Sequence, residues 1–279
     1  GRAMVRDVLR PKASYHALSR IMMLFALAPA IAPIIGGWLH DLFTWHSVFY
    51  FFSLFASAIF ILVLFHIPET LLISQRQSFH PLNVSRVYAR TLVHRRFQSL
   101  IFIVASYFAG LFLYIAAAPT VIFEFLQLNS NDFAVMFVPM VAGLIFGSWL
   151  SGRLAHHWPI DHTIKLALTF MLTGSVFNVI QSVWLTPMVT TSVIPLTFYT
   201  CGIGIAMPAM TVLALDCFPN NPGTASALQG FVPMMANSLI ARLAFPLLRQ
   251  QPEYLAMGHL LLFTFALRPC LPFPKQTIP

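Results

Sequence analysis

Charge is scarce in this sequence. Only 9% of its 279 residues are Asp, Glu, Lys or Arg, against 58% that are hydrophobic. A soluble domain carries about 25% charged residues, so this chain lacks the surface that would keep it dissolved. Acids are scarcer than bases. There are eight, Asp7, Asp41, Glu69, Glu124, Asp132, Asp161, Asp216 and Glu253, and each falls in an expected loop or helix end. A charge at the centre of a bilayer costs roughly 2.5–3.5 kcal/mol on insertion scales, so an embedded acid would mark a functional position; none is embedded. Cysteine is also rare. Cys201, Cys217 and Cys270 show neither metal spacing nor a disulfide framework and read as structural. The sequence has no HExxH, no GxSxG and no Gly-rich phosphate loop, which argues against a zinc protease, an α/β hydrolase and a built-in ATPase. Neighbouring histidines of a helix point in different directions, so His156 and His157 do not share a tetrahedral site with Asp161 or His162. No metal, cofactor or enzymatic activity is expected. The start, GRAMVRDVLRPK, is charged and lacks the apolar core of a cleavable signal peptide.

What the chain does have is long apolar runs. They lie at about 21–39, 46–66, 98–118, 133–152, 165–185, 190–215, 224–247 and 254–267. Some 20 residues at 1.5 Å each cross ~30 Å of hydrocarbon. The first seven runs suit that length, and the eighth is short. Proline (20) and glycine (13) inside such runs are tolerated where neighbouring helices satisfy the freed backbone groups. The expectation is an all-α, polytopic membrane helix bundle of about eight spans. It divides into residues 1–66 with two spans, a basic linker at 67–97, and residues 98–279 with six spans.

The net charge of +8 has a location that explains it without a nucleic-acid partner. If every run crosses, fourteen of the sixteen Lys and Arg fall on one side: around Arg2 to Arg20, Arg76 to Arg96, Arg153 and Lys165, and Arg268 and Lys275. Arg242 and Arg249 fall on the other. Basic residues favour the cytoplasmic side, so both termini and the linker are expected there. The loop around Asp216 to Gly223 belongs to the same side without a basic residue.

Three sets of residues carry a finer signal. In the first run Ala28, Ala32 and Gly36 recur every fourth residue and share a helix face, as small residues do where backbones approach closely. Pro29, Pro33 and Gly37 bend or loosen the same helix. A moving interface and a static kink fit this pattern equally. Gly143 and Gly147 form a GxxxG step, continued by Ser151, that marks a helix contact in the fourth run. Polar and aromatic residues within spans are the candidates for a substrate path: Tyr107, Tyr114, Asn178, Gln181, Tyr199, Gln229 and Asn237. Ordinary hydrogen bonding between helices is the competing role for each. His259, in the short last run, is the main histidine away from loops and span ends.

The string RIMMLFALAPAIAPIIGGWLHDLFTWHSVFYFFSLF, followed by IPETL, resembles the fifth and sixth spans of drug:proton antiporters of the bicyclomycin- and chloramphenicol-resistance type (Bcr/CflA), within the major facilitator superfamily. Ala32-Pro33-Ile34-Ile35-Gly36-Gly37 matches the (G/A)PxxGG core of that superfamily's antiporter motif, and Pro68-Glu69-Thr70 matches the PET that closes the sixth span. GRAMVRDVLR resembles the end of the fourth span and its loop, and RLAHH the basic turn after the eighth. The resemblance implies a twelve-span transporter of which this chain holds spans five to twelve, an incomplete chain. It also implies drug:proton antiport by alternating access in a bacterial inner membrane, with amphiphilic drugs, protons and the lipid bilayer as partners. The acidic residue of the family's first span and the Arg of its fourth have no counterpart here. An inactive truncated membrane protein is the alternative that this leaves open.

Overall fold

The computed structural model describes residues 4–5, 8–9, 11–68, 81–129, 132–155, 157–185, 188–219 and 222–267. Glu69, Thr70, Arg76, His156 and Cys270, with the basic residues Arg2, Arg6, Arg10, Arg268 and Lys275, lie outside them. The described residues are almost entirely helical and contain no strand. Helix α1 (Pro11–Leu42) and α2 (Trp45–His66) come first. A short helix, α3 (Pro81–Val93), follows within the segment read as a linker. The remaining helices are α4 (Arg95–Pro119), extended by a wider π turn over Thr120–Phe125, then α5 (Phe133–Leu154), α6 (Ile160–Trp184) and α7 (Val189–Asp216). Helix α8 (Pro222–Leu239) continues through a second π turn (Ile240–Ala244) to Phe245–Leu248, and α9 spans Pro252–Leu267.

Each expected run is found on a helix. Six of these helices are long and apolar enough to cross a membrane: α2, α4 with its extension, α5, α6, α7 and α8 with its extension. The other two runs lie on α1, 32 residues long, and on α9, whose 16 residues make it the shorter apolar helix. Two boundaries differ from the sequence reading. Helix α1 begins at Pro11, ten residues before its apolar run, because Ser14, Tyr15, Leu18, Ser19 and Met22 form a buried face there. The linker is not a plain loop. In α3 Thr91 is buried and bonds back to the Val87 carbonyl (2.9 Å), while Arg86 and Arg90 are exposed. A basic helix with one inward stripe reads as polar by composition alone.

Helix α7 is the centre of the bundle. Its side chains are buried almost continuously from Val193 to Leu215, as expected for a helix that is apolar on all sides. Helices α5 and α6 both pack along it. A Cβ on Gly143 would meet the Thr197 carbonyl at 2.5 Å, and one on Gly147 would run into the Cys201 backbone. At these two positions only hydrogen fits, so α5 and α7 lie backbone to backbone. The Ser148 hydroxyl donates to the Gly204 carbonyl (3.3 Å) and that of Ser151 to the Ile205 carbonyl (2.8 Å). The constant offset of these contacts makes α5 and α7 parallel. Helices α4, α8 and α9 close the other side.

Candidate functional site

Seven polar or aromatic residues are substrate-path candidates, and the structure sorts them into three places. Tyr114, Asn178 and Gln181 come together. Asn178 and Gln181 are three residues apart on α6, hence on one face, and Tyr114 reaches them from α4. The Asn178 side-chain amide donates to the Tyr114 hydroxyl (2.6 Å). The Gln181 amide donates to Asn178 Oδ1 (3.3 Å) and to Ser182 Oγ (3.0 Å), and Ser182 donates to the Asn178 carbonyl (2.8 Å). All four residues are buried. They line a cavity of about 20 Å³ whose other walls include Val121, Phe125, Met136 and Leu255. Gln181 Oε1 is buried and accepts no hydrogen bond. The cavity is bordered by the C-terminal ends of α4 and α6 and the N-terminal ends of α5, α7 and α9. It therefore sits toward one end of the bundle, away from Arg95, Arg153 and Lys165.

Tyr107 and Tyr199 form a strut in the core. The Tyr199 hydroxyl donates to the Tyr107 carbonyl (2.9 Å), and the Tyr107 hydroxyl points to Met207 Sδ (3.0 Å). This ties α4 to α7 and leaves neither residue facing a cavity wall described above. His259 of α9 packs between two of the tyrosines, with ring centroids 4.2 Å from Tyr199 and 5.3 Å from Tyr114. It is fully buried and neither ring nitrogen has a partner. Gln229 and Asn237 are elsewhere, on α8. Gln229 donates to Thr211 Oγ1 (3.1 Å), and both polar atoms of the buried Asn237 side chain are without a partner. A wide, mostly apolar groove of about 1,100 Å³ runs along α4, α8 and α9, past Phe97, Phe102, Ala105, Val232 and Leu262.

The described part of the α1 motif is open. Ala28 and Ala32 are exposed, and a Cβ on Gly36 would meet nothing within 4 Å. The side chains of Pro29, Pro33 and Gly37 are outside the described set. Helix α1 contacts the bundle through its other end. The Tyr15 and Ser151 hydroxyls are 2.8 Å apart, and Ser19 donates to the Ser148 carbonyl. Gly152 leaves room there, since its Cβ would lie 2.8 Å from Ser19 Oγ. Sequence reasoning missed this seam. The small residues Ser148, Ser151 and Gly152 were its trace, and their partners lay in a charged segment ahead of the first apolar run. Among the described residues no group of three His, Cys, Asp or Glu is placed to hold a metal ion.

Residues 1–241 match the Major Facilitator Superfamily. The chain belongs to that superfamily. Among curated proteins it is similar to a bicyclomycin resistance protein homolog of Haemophilus influenzae, 26% identical over 253 residues, which covers 86% of this chain and 60% of the relative. It is similar to multidrug resistance protein D of Escherichia coli, 24% identical over 253 residues, covering 87% of this chain and 60% of that protein. It is also similar to the chloramphenicol resistance protein CraA of Acinetobacter baumannii, 23% identical over 227 residues, covering 81% and 54%. The chain thus spans about 60% of the length of the first of these superfamily relatives. Among solved structures, the human organic anion transporter MFSD10 has the same fold, with a TM-score of 0.66 at 19% identity over 95% of this chain and 66% of that one.

Proposed function

We propose that this chain forms the second part of a multidrug efflux transporter that exchanges a drug for protons by alternating access. The observation that carries this reading is the buried, uncharged Tyr114–Asn178–Gln181 cluster facing an apolar cavity. A few convergent polar groups in an apolar pocket suit amphiphilic small molecules. The names of the relatives, which refer to bicyclomycin, chloramphenicol and multidrug resistance, supply the substrate class. The Ala32–Gly37 motif supports antiport, and the distribution of basic residues supports a bacterial inner membrane with both termini cytoplasmic. Expression of the gene in an efflux-deficient bacterium should raise tolerance to chloramphenicol or bicyclomycin, and a proton ionophore should abolish the gain. Unchanged tolerance, with the protein present in the membrane, would count against it.

A second reading is supported by the first two helices. Helix α2 has no buried residue, and among the described residues of the α1 motif Ala28 and Ala32 are exposed and a Cβ on Gly36 would meet nothing within 4 Å. By itself, the 279-residue chain is then a membrane-embedded scaffold without transport activity. Among the described residues the acids Asp41, Glu124, Asp132, Asp161, Asp216 and Glu253 sit at helix ends or in loops, with none mid-span to carry a proton, and a cavity between two halves would be open on one side. Purified and reconstituted by itself, the chain should show no drug uptake in response to an imposed pH gradient. Clear gradient-driven uptake would exclude this second reading.

A further inference from the structure

We infer that the cavity beside Gln181 is a binding site for one small, uncharged donor–acceptor group, a hydroxyl or a primary amide, carried on an apolar body. This deepens the efflux reading and rests on it for the physiological substrate. The hydrogen bonds of the cluster run in one direction. Gln181 donates to Asn178 and Ser182, and Asn178 donates to Tyr114. One end of the chain is therefore an acceptor with nothing to accept, Gln181 Oε1, in a side chain only 3% exposed. The other end is the Tyr114 hydroxyl, which accepts from Asn178 and keeps its own proton to donate. Both residues line the same cavity. A buried acceptor left unmatched costs roughly 1–3 kcal/mol, so a group that donates to Gln181 and accepts from Tyr114 gains more here than in water. Hydroxyl and primary amide do both.

Charge is excluded by the lining. Among the described residues no Asp, Glu, Lys, Arg or His borders the cavity, so an ammonium or carboxylate would be buried there without a counter-ion, which is strongly unfavourable. Size limits what enters. About 20 Å³ accommodates a group no larger than a water or two, so only the polar head is held there. The apolar body lies outside the cavity, against the half-buried lining residues Phe125 and Pro252. The same head group occurs on a free amphiphile and on a lipid glycerol.

The test is binding to the purified 279-residue chain in lipid nanodiscs, read by the 15N side-chain amide signals of Asn178 and Gln181. Decanamide should shift both signals saturably. Decyltrimethylammonium, with the same tail and a fixed charge, should leave them within a tenth of that shift. Gln181→Met should weaken the Asn178 response to decanamide at least about tenfold. Nanodiscs containing dioleoylglycerol test the lipid source. If they produce the shift before decanamide is added and slow its binding, the same site holds a lipid hydroxyl. Equal shifts from both decyl probes, or no saturable shift from decanamide, would overturn the inference; neither comparison depends on a variant folding. Saturable binding without any gain in drug tolerance would sink the efflux reading and leave the site standing. Drug tolerance without decanamide binding would do the reverse.

Discussion

Helices α2 and α7 are both apolar on every side, yet α7 is buried almost from end to end and α2 has no buried residue at all. Hydrophobicity does not separate them. Side-chain size does. Helix α7 carries Gly202, Gly204, Ala206, Ala209 and several threonines, and faces Gly143 and Gly147 of α5. Helix α2 has no glycine and presents Phe49, Phe52, Phe55, Phe60 and Phe65 outward. In a membrane the lipid is as apolar as a protein core, so burial is won by backbones that can come close, not by greasiness. Helix α1 contains both kinds of surface. Its first half is locked to α5 by Tyr15 and Ser19, whereas in its second half Ala28 and Ala32 are exposed and a Cβ on Gly36 would meet nothing within 4 Å.

The sharpest way to break this comparison is to place the same bulk at a closed and at an open glycine. Gly147→Leu should separate α5 from α7 and destabilise the bundle by about 3 kcal/mol or more. Gly36→Leu, where a Cβ meets nothing within 4 Å, should change stability by no more than about 0.5 kcal/mol. Chemical unfolding of the detergent-solubilised chain, followed by tryptophan fluorescence, reads both. If Gly36→Leu proves as damaging as Gly147→Leu, the open face of α1 is wrong. In a protein with a complete first half, Gly36→Leu should instead lower drug efflux while leaving insertion intact.

A smaller effect is expected at the locked end of α1. Tyr15→Phe and Ser151→Ala each remove one partner of a buried hydroxyl pair. Polar pairs between membrane helices are worth about 0.6 kcal/mol on average. The double-mutant cycle should return a coupling of that size, measured by the same unfolding assay. Zero coupling would mean that Ser19 and Gly152 hold the seam without Tyr15.

Much of this was legible beforehand, and what was not has physical causes. Each apolar run lies on a helix, because span length is set by the bilayer. Asn178 and Gln181 were legible as neighbours from their three-residue spacing. That Tyr114 joins them was not, since it lies 64 residues away from Asn178 in sequence and an isolated tyrosine gives no sign of its partner. The central place of α7 was hidden because lipid and protein interior select the same residues. The buried face at the start of α1 was hidden in a charged segment, because Tyr15, Leu18 and Met22 are interleaved with Lys12, His16 and Arg20. The continuation of α4 past Pro119 was also hidden: composition marks proline as a stop, whereas here the chain widens into a π turn and stays helical.

The smallest expected effect is at the two cysteines of α7 and its end, and it tests where burial stops. Cys201 lies in the core against Gly147, and Cys217 sits just past Asp216, half-buried. A maleimide reacts with the thiolate. Burial pushes the Cys217 thiol above its ordinary range; Arg96 opposes this and the Asp216 carboxylate adds to it. A raised pKa means less thiolate at neutral pH, so Cys217 should label more slowly than a free cysteine at pH 7. It should accelerate about tenfold per pH unit on the approach to its pKa, whereas Cys201 stays unlabelled in the folded chain. Asp216→Asn should speed labelling at pH 7 and Arg96→Gln should slow it, each by a few-fold, read as mass added over time. Equal labelling of Cys201 and Cys217 would show that α7 is no more enclosed than its end, and the contrast with α2 would then fail at its buried member.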